Sequence, residues 1–165
     1  MVYRNYSKFA NLAQELTMRC NNMVKYRYMQ KNPTRFPKGN VFIDGDVDPR
    51  PHEIEIAKVL AKAGYKVRFL PNNAILGTAD TYINDTVFEF KSPEGSTVRS
   101  IERNLVKALN HQSPNIVVST TRMKKIQDRS VKSFLMSRLR EGKGLQRIIL
   151  VTRDGKVVDI NALLR

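Results

Sequence analysis

Two carboxylates and a lysine between residues 80 and 91 have the types and spacing needed for chemistry on a phosphodiester. Glu89 and Lys91 are two residues apart in a predicted β-strand, so their side chains project from the same face. A hairpin signal at Asn84-Asp85 joins this strand to the one that Asp80 opens, which brings Asp80 within reach of Glu89. Carboxylate oxygens are the ligands that Mg²⁺ or Mn²⁺ prefers. A lysine beside them can orient an attacking water or stabilise charge that builds on the phosphorus.

A further carboxylate, Glu53, lies in the first turn of a helix predicted over residues 52–64. The helical spacing places Glu53 on the extension of the buried apolar stripe and Glu55 outside it. Burying a carboxylate without a partner is costly, so Glu53 needs a compensating interaction. Two remain open, namely participation in a metal site and a favourable interaction with the helix dipole.

The elements that must position these residues follow from the hydrophobic periodicity. From residue 52 onward it predicts the order α–β–β–β–α–β–α–β–β, with later helices over 97–112 and 123–142. An α/β fold with a mixed central sheet flanked by helices accounts for this order. Residues 1–40 contain a predicted helix and end in a Pro- and Gly-rich break, so the sequence predicts an N-terminal helical appendage (1–40) and a main domain (41–165).

The charge distribution favours a polyanionic partner. The formal net charge is +14, divided as +7 over residues 1–40, −3 over 41–95 and +10 over 96–165. Cationic surroundings for phosphates with a carboxylate-rich middle segment are what a metal-dependent nuclease requires. An ordinary mixed-charge segment between two basic ones is the simpler alternative. We expect the appendage to add affinity for nucleic acid rather than chemistry.

Five basic residues form a cluster around the start of the last predicted helix: Arg122, Lys124, Lys125, Arg129 and Lys132. They are candidates for contact with phosphates. The alternative is that they form a solvated face of the helix. Three polar residues are further candidates near the substrate, although turn and helix-end roles account for them equally well: Ser92, His111 and Gln112.

Composition excludes several classes of protein. One cysteine excludes an internal disulfide framework, and two histidines disfavour a polyhistidine metal site. There is no apolar run of the length needed to span a bilayer, and the first residues lack the apolar core of a signal peptide. The sequence therefore predicts a soluble, cytoplasmic protein without a membrane partner.

The set Glu53, Asp80 and Glu89-x-Lys91 resembles the PD-(D/E)xK nuclease pattern, with Ala79-Asp80 where that family often has Pro-Asp. Over about residues 50–160, the sequence is similar to the C-terminal nuclease domains of contact-dependent growth inhibition toxins. The similarity is carried by three segments: HEIEIAKVLAKAGYKVRFLP, TADTYINDTVFEFKSPEG and LNHQSPNIVV. The resemblance implies a restriction-endonuclease-like core of αβββαβ order. It also implies Asp80 and Glu89 as metal ligands, Lys91 as the catalytic lysine and Glu53 as the helix acid.

The resulting hypothesis is a toxin-like, metal-dependent endonuclease that acts on tRNA or another RNA. The alternatives are a DNA endonuclease of a mobile element and a non-catalytic nucleic-acid-binding accessory protein. The intact acid–acid–lysine set favours the enzyme. The sequence leaves open whether the metal is Mg²⁺, Mn²⁺ or Zn²⁺, whether the chain forms a dimer, and whether it has a cognate immunity protein or antitoxin.

Overall fold

The computed structural model describes residues 39–43, 47–70, 79–111 and 113–165. The predicted N-terminal helical appendage, apart from its last two residues, lies outside them. The described elements follow one another in this order: β1 (Asn40–Phe42), α1 (Pro51–Lys62), β2 (Lys66–Phe69), β3 (Thr81–Ile83), β4 (Thr86–Lys91), α2 (Val98–His111), β5 (Asn115–Ser119), α3 (Asp128–Arg140), β6 (Arg147–Val151), β7 (Val157–Asp159) and a short 3₁₀ helix (Asn161–Leu163).

Within the described residues the strands form one seven-stranded sheet in which spatial order equals chain order. The pair β1–β2 is parallel, β2–β3 and β3–β4 are antiparallel, β4–β5 and β5–β6 are parallel, and β6–β7 is antiparallel. Because β4, β5 and β6 run in the same direction, their carboxyl ends meet at one edge of the sheet, which we call the carboxyl edge. The loops after these three strands lie together there.

The hairpin between β3 and β4 forms at the predicted dipeptide. Asn84 and Asp85 have φ values of 45° and 66°, the left-handed conformation that a two-residue hairpin turn needs. The side-chain oxygen of Asn84 also accepts a hydrogen bond of 2.9 Å from the backbone N–H of Lys66. This bond ties the turn to the start of β2 and supports the register of three strands.

The sheet curls around α1. Ile56, Ala57 and Leu60 on this helix are almost fully buried, and they share one core with side chains from β2, β4, β5 and β6. The two sides of the curl approach each other, since Tyr65, directly before β2, and Val157 of β7 pack against the same core. A flat seven-stranded sheet would keep the start of β2 and β7 far apart, so the core around α1 depends on the curvature.

The opposite face of the sheet is covered by α2 and α3 over β5 and β6. Ile101 and Leu105 of α2 and Val131 and Leu135 of α3 are buried in a second apolar core. The strand residues that face it alternate along β5 and β6 with those that face α1. Strands β5 and β6 are therefore buried on both faces, which explains their continuous apolar sequence.

The predicted mixed sheet flanked by helices is confirmed. Assignment to the restriction-endonuclease-like class stays a prediction. Strand β1 was not predicted, because its three residues are too few to show the alternation of a strand. They form a strand by pairing with β2. The last predicted helix begins at Asp128 rather than at residue 123, since Lys125 has a φ of 65° that no helix accepts. No helix in the described ranges is long and apolar enough to cross a membrane.

Gly39 permits the close approach of β1 to the end of α1. A Cβ at this position would lie 2.4 Å from the carbonyl oxygens of both Ala61 and Tyr65. We therefore expect Gly39→Ala to lower the free energy of unfolding by about 2–3 kcal/mol in urea denaturation. Gly142→Ala is the control, because Gly142 has a φ of 65° but no atom within 4 Å of its Cβ position, and it should cost only about 1 kcal/mol. Equal losses would contradict the packing role of Gly39.

Candidate active site

Asp80, Glu89 and Lys91 lie side by side at the carboxyl edge of β4. The β3–β4 register pairs Thr81 with Phe88, so Asp80, one residue before β3, lies opposite Glu89. The ammonium group of Lys91 donates a hydrogen bond to Oε1 of Glu89. The structure thus brings together the three residues that the strand spacing and the hairpin predicted to be neighbours.

Asp80 is held in place by the end of the β3–β4 ladder. The backbone N–H of Phe90 points towards β3 beyond the last residue pair, and Oδ2 of Asp80 accepts its hydrogen bond at 2.7 Å. The carbonyl oxygen of Asp80 accepts a second bond, of 3.0 Å, from the N–H of Leu70. Both the backbone and the side chain of Asp80 are therefore fixed, with its carboxylate turned towards β4.

Glu89 is a buried carboxylate with one unpartnered oxygen. Its side chain is 2% exposed, and Oε2 accepts no hydrogen bond within the part of the chain that the structure describes. Burial raises the pKa of Glu89 to about 7; the bond from Lys91 opposes this shift and the neighbouring Asp80 adds to it. Two carboxylates therefore face each other in a buried place, where either a proton or a cation would relieve their repulsion. Carboxylate oxygens in this arrangement are suitable ligands for a divalent metal ion.

Glu53 lies at the same edge of the sheet but is engaged by its own helix. Its Oε2 accepts a hydrogen bond of 2.8 Å from the backbone N–H of Arg50, the N-cap residue of α1. In the described ranges, no three His, Cys, Asp or Glu side chains are grouped so that they could hold a metal ion. A role for Glu53 in a metal site stays a prediction. Glu55 is exposed as predicted and pairs with Lys58 at 2.9 Å.

The basic cluster lies on the loop after β5 and on the first turns of α3. Arg122, Lys124 and Lys125 are exposed on the loop, while Arg129 is exposed and Lys132 half-buried on the helix. Because β4 and β5 are parallel neighbours, this loop and Lys91 lie at the same edge of the sheet. An ion pair from Arg122 to Glu94, which lies in the loop after β4, joins the two loops.

The three further polar candidates occupy different places. Ser92 directly follows Lys91, and its hydroxyl oxygen is buried without a hydrogen-bond partner among the described residues. His111 is the last residue of α2, which returns the chain to the start of β5 at the opposite edge of the sheet, away from Lys91. Gln112 lies outside the described residues.

A polar network that the sequence analysis missed supports the loop after β5. The buried hydroxyl of Thr120 donates to the carboxylate of Asp128, whose other oxygen accepts a bond of 3.2 Å from the N–H of Arg153. The guanidinium group of Arg153 donates to the carbonyl oxygen of Ile126 at 2.8 Å. These residues are up to 33 positions apart and follow no short motif, so no local signal could have identified them.

The raised pKa of Glu89 predicts a pH-dependent stability in metal-free protein. Between about pH 4.5 and 7 the native state retains a proton that the unfolded state has lost, so the free energy of unfolding falls as pH rises and becomes level above about pH 7. Because other groups also titrate, the measured quantity is the stability of the wild type minus that of Glu89→Gln, from urea denaturation in EDTA. We expect this difference to decrease over that window. Parallel curves for the two proteins would contradict the assignment.

Comparisons with known proteins show what this chain is similar to. The family model "Contact-dependent growth inhibition CdiA C-terminal domain" matches residues 77–157, which include Asp80, Glu89 and Lys91 and cover just under half of the chain. A chain in the solved structure "CdiA-CT/CdiI toxin and immunity complex from Burkholderia pseudomallei" has a similar fold, with a TM-score of 0.55 and 21% sequence identity over 69% of this chain and 93% of that one. No curated protein matches the sequence. The segment that carries the candidate active site is therefore similar to the C-terminal domain of contact-dependent growth inhibition toxins.

Proposed function

We propose that this protein is a toxin that acts as a metal-dependent endonuclease, hydrolysing phosphodiester bonds in nucleic acid, with RNA and in particular tRNA as the substrate. One observation carries the proposal most directly. Glu89 is buried beside Asp80 and Lys91, and it has an unpartnered oxygen and a pKa raised to about 7. A carboxylate kept in this unfavourable environment is typical of a functional site rather than of a structural ion pair.

Asp80 and Glu89 would hold a divalent ion, for which Mg²⁺ and Mn²⁺ fit oxygen donors best and Zn²⁺ is a further candidate. When bound, such an ion supplies charge neutralisation at the phosphate and a more acidic water. Asp80 contributes a carboxylate whose direction is set by the N–H of Phe90. Glu89 contributes Oε2, since its other oxygen is bonded to Lys91. Glu53 remains a proposed contributor through its position at the same edge.

Lys91 would act on the reacting phosphate rather than on the metal. Its side chain is only 12% exposed, so it adds a positive charge with little screening by water. An ammonium group in this position can orient the attacking water and stabilise the negative charge that develops on the phosphoryl oxygens. The bond to Glu89 keeps the flexible lysine chain in place before substrate binds.

The partner assignments follow from charge and from the comparisons. The net charge of +14 and the basic loop after β5 support binding to a nucleic acid backbone. The solved relative is described as a toxin and immunity complex. We therefore include a cognate immunity protein in the proposal.

The proposal is tested by incubating the purified protein with total tRNA, and separately with plasmid DNA, in Mg²⁺, Mn²⁺, Zn²⁺ or EDTA. We expect Asp80→Asn and Glu89→Gln each to reduce metal-dependent cleavage of tRNA by at least about a hundredfold. Each substitution removes the negative charge of a carboxylate that is proposed to bind the metal ion. Lys91→Met should lose the chemical step to a similar extent. Glu55→Gln is the control, since Glu55 is exposed and paired only locally with Lys58.

Circular dichroism and urea denaturation must accompany each variant, because removing Lys91 leaves Glu89 buried without its cation. The double variant Glu89→Gln/Lys91→Met removes both charges and should restore folding but not cleavage. Full cleavage by Asp80→Asn or Glu89→Gln would refute the active-site assignment. Cleavage of plasmid but not tRNA would identify a DNA endonuclease, and binding without cleavage in every metal would identify an accessory binding protein.

A further inference from the structure

A pocket lies between α3 and the β6–β7 hairpin. Its volume is about 450 Å³, and charged and hydroxyl-bearing side chains line much of it. Arg129 and Lys132 come from α3, and Thr152 and Lys156 come from the hairpin. None of the carboxylates proposed for catalysis lines this pocket.

Two cations in the pocket have no carboxylate partner in the part of the chain that the structure describes. Neither Arg129 nor Lys132 forms an ion pair with any residue that the structure describes. Lys156, in contrast, pairs with Asp154 at 2.6 Å, and Asp154 also accepts a hydrogen bond from Thr152. The second acid in the lining, Asp128, is bonded to Thr120 and to the N–H of Arg153.

The pocket and the candidate active site share one face of the sheet and one edge. The β4–β5 register pairs Lys91 with Val118, and the β5–β6 register pairs Val118 with Leu150, a residue of the pocket lining. Two strand spacings separate Lys91 from Leu150, which is about 10 Å. Phosphates repeat along the backbone of a nucleic acid strand, so a single strand with one phosphate at Lys91 can place a nearby phosphate at the pocket.

The basic loop between the two places is held rigidly. The N–H of Ile126 bonds the carbonyl oxygen of Lys124 at 2.9 Å, closing a γ-turn with Lys125 at its centre in the left-handed region. Arg153, at the beginning of the β6–β7 hairpin, holds this turn through Ile126. A non-glycine residue in this conformation costs about 1–3 kcal/mol, and such strain is concentrated at functional sites.

We infer that the pocket binds a phosphate group of the same nucleic acid strand, close along that strand to the bond that lies at Lys91. This inference rests on the proposed function. Arg129 and Lys132 supply the charge, and the exposed Ser133 supplies a hydroxyl group. The exposed lysines of the γ-turn contact the backbone between the two phosphates.

The test measures binding of fluorescently labelled tRNA to the full chain in EDTA over a series of NaCl concentrations. Arg129→Ala/Lys132→Ala should reduce the slope of log K against log [salt] by about 1–2 in magnitude. The reason is that a protein that makes fewer phosphate contacts releases fewer counterions from the nucleic acid on binding. The matched control is Arg103→Ala/Lys107→Ala, which removes two exposed charges from α2, away from the pocket. It should change the slope by less than half as much.

A charge-neutral variant separates a shaped pocket from a diffuse positive field. Ser133 is exposed and lines the pocket, so Ser133→Trp should fill it and weaken tRNA binding by about fivefold or more. Ser137→Trp, one turn further along α3 and outside the lining, is the control and should leave affinity within about twofold. Metal-dependent cleavage is measured on the same proteins.

Unchanged binding by Ser133→Trp in a protein that cleaves tRNA would overturn the pocket and leave the proposed function standing. The same holds if the double alanine variant and its control change the slope equally. A wild-type protein that neither binds nor cleaves tRNA or plasmid DNA would overturn both. Weaker binding and a raised KM for Ser133→Trp, with kcat retained, is the result that supports the inference.

Discussion

The alternation of Phe88, Glu89, Phe90 and Lys91 along β4 is the constraint on which the candidate active site depends. The two phenylalanines are buried in the core around α1, where the ring of Phe90 packs edge-on against Phe69 at 6.0 Å. Because strand side chains alternate, this packing directs Glu89 and Lys91 to the other face. A shift of one residue in register would move both rings out of the core around α1 and put the charged pair into it, so the core and the site specify the same pairing.

The cost of this arrangement falls on Glu89. Desolvating a carboxylate costs several kcal/mol. Lys91 compensates only in part, since the pKa of Glu89 remains raised. Structural ion pairs elsewhere in the fold are different. Asp159 and Arg147, for example, are both partly exposed and can exchange their bond for water. The fold therefore stores electrostatic repulsion between Asp80 and Glu89, and a bound cation could release it.

The parallel strands β4, β5 and β6 extend the site along the carboxyl edge. Each ends at this edge, so Lys91, the basic loop before α3 and the β6–β7 hairpin are neighbours although about 60 residues separate the first from the last. Thr120, Asp128 and Arg153 then connect the loop and the hairpin through hydrogen bonds. In this arrangement the acidic site and the basic surface are parts of one edge.

The sequence by itself determined the elements and the local geometry of the site. The period-two alternation of β4, the Asn84-Asp85 turn and the amphipathic helix after Pro51 are short-range patterns, and together they predicted that Asp80, Glu89 and Lys91 are neighbours. The tertiary structure alone decided the curl of the sheet around α1 and the existence of β1. It also decided that the β6–β7 hairpin lies beside α3. These features depend on contacts between residues distant in the chain and on how far each strand twists against the next, and the periodicity of a single segment carries no information about either.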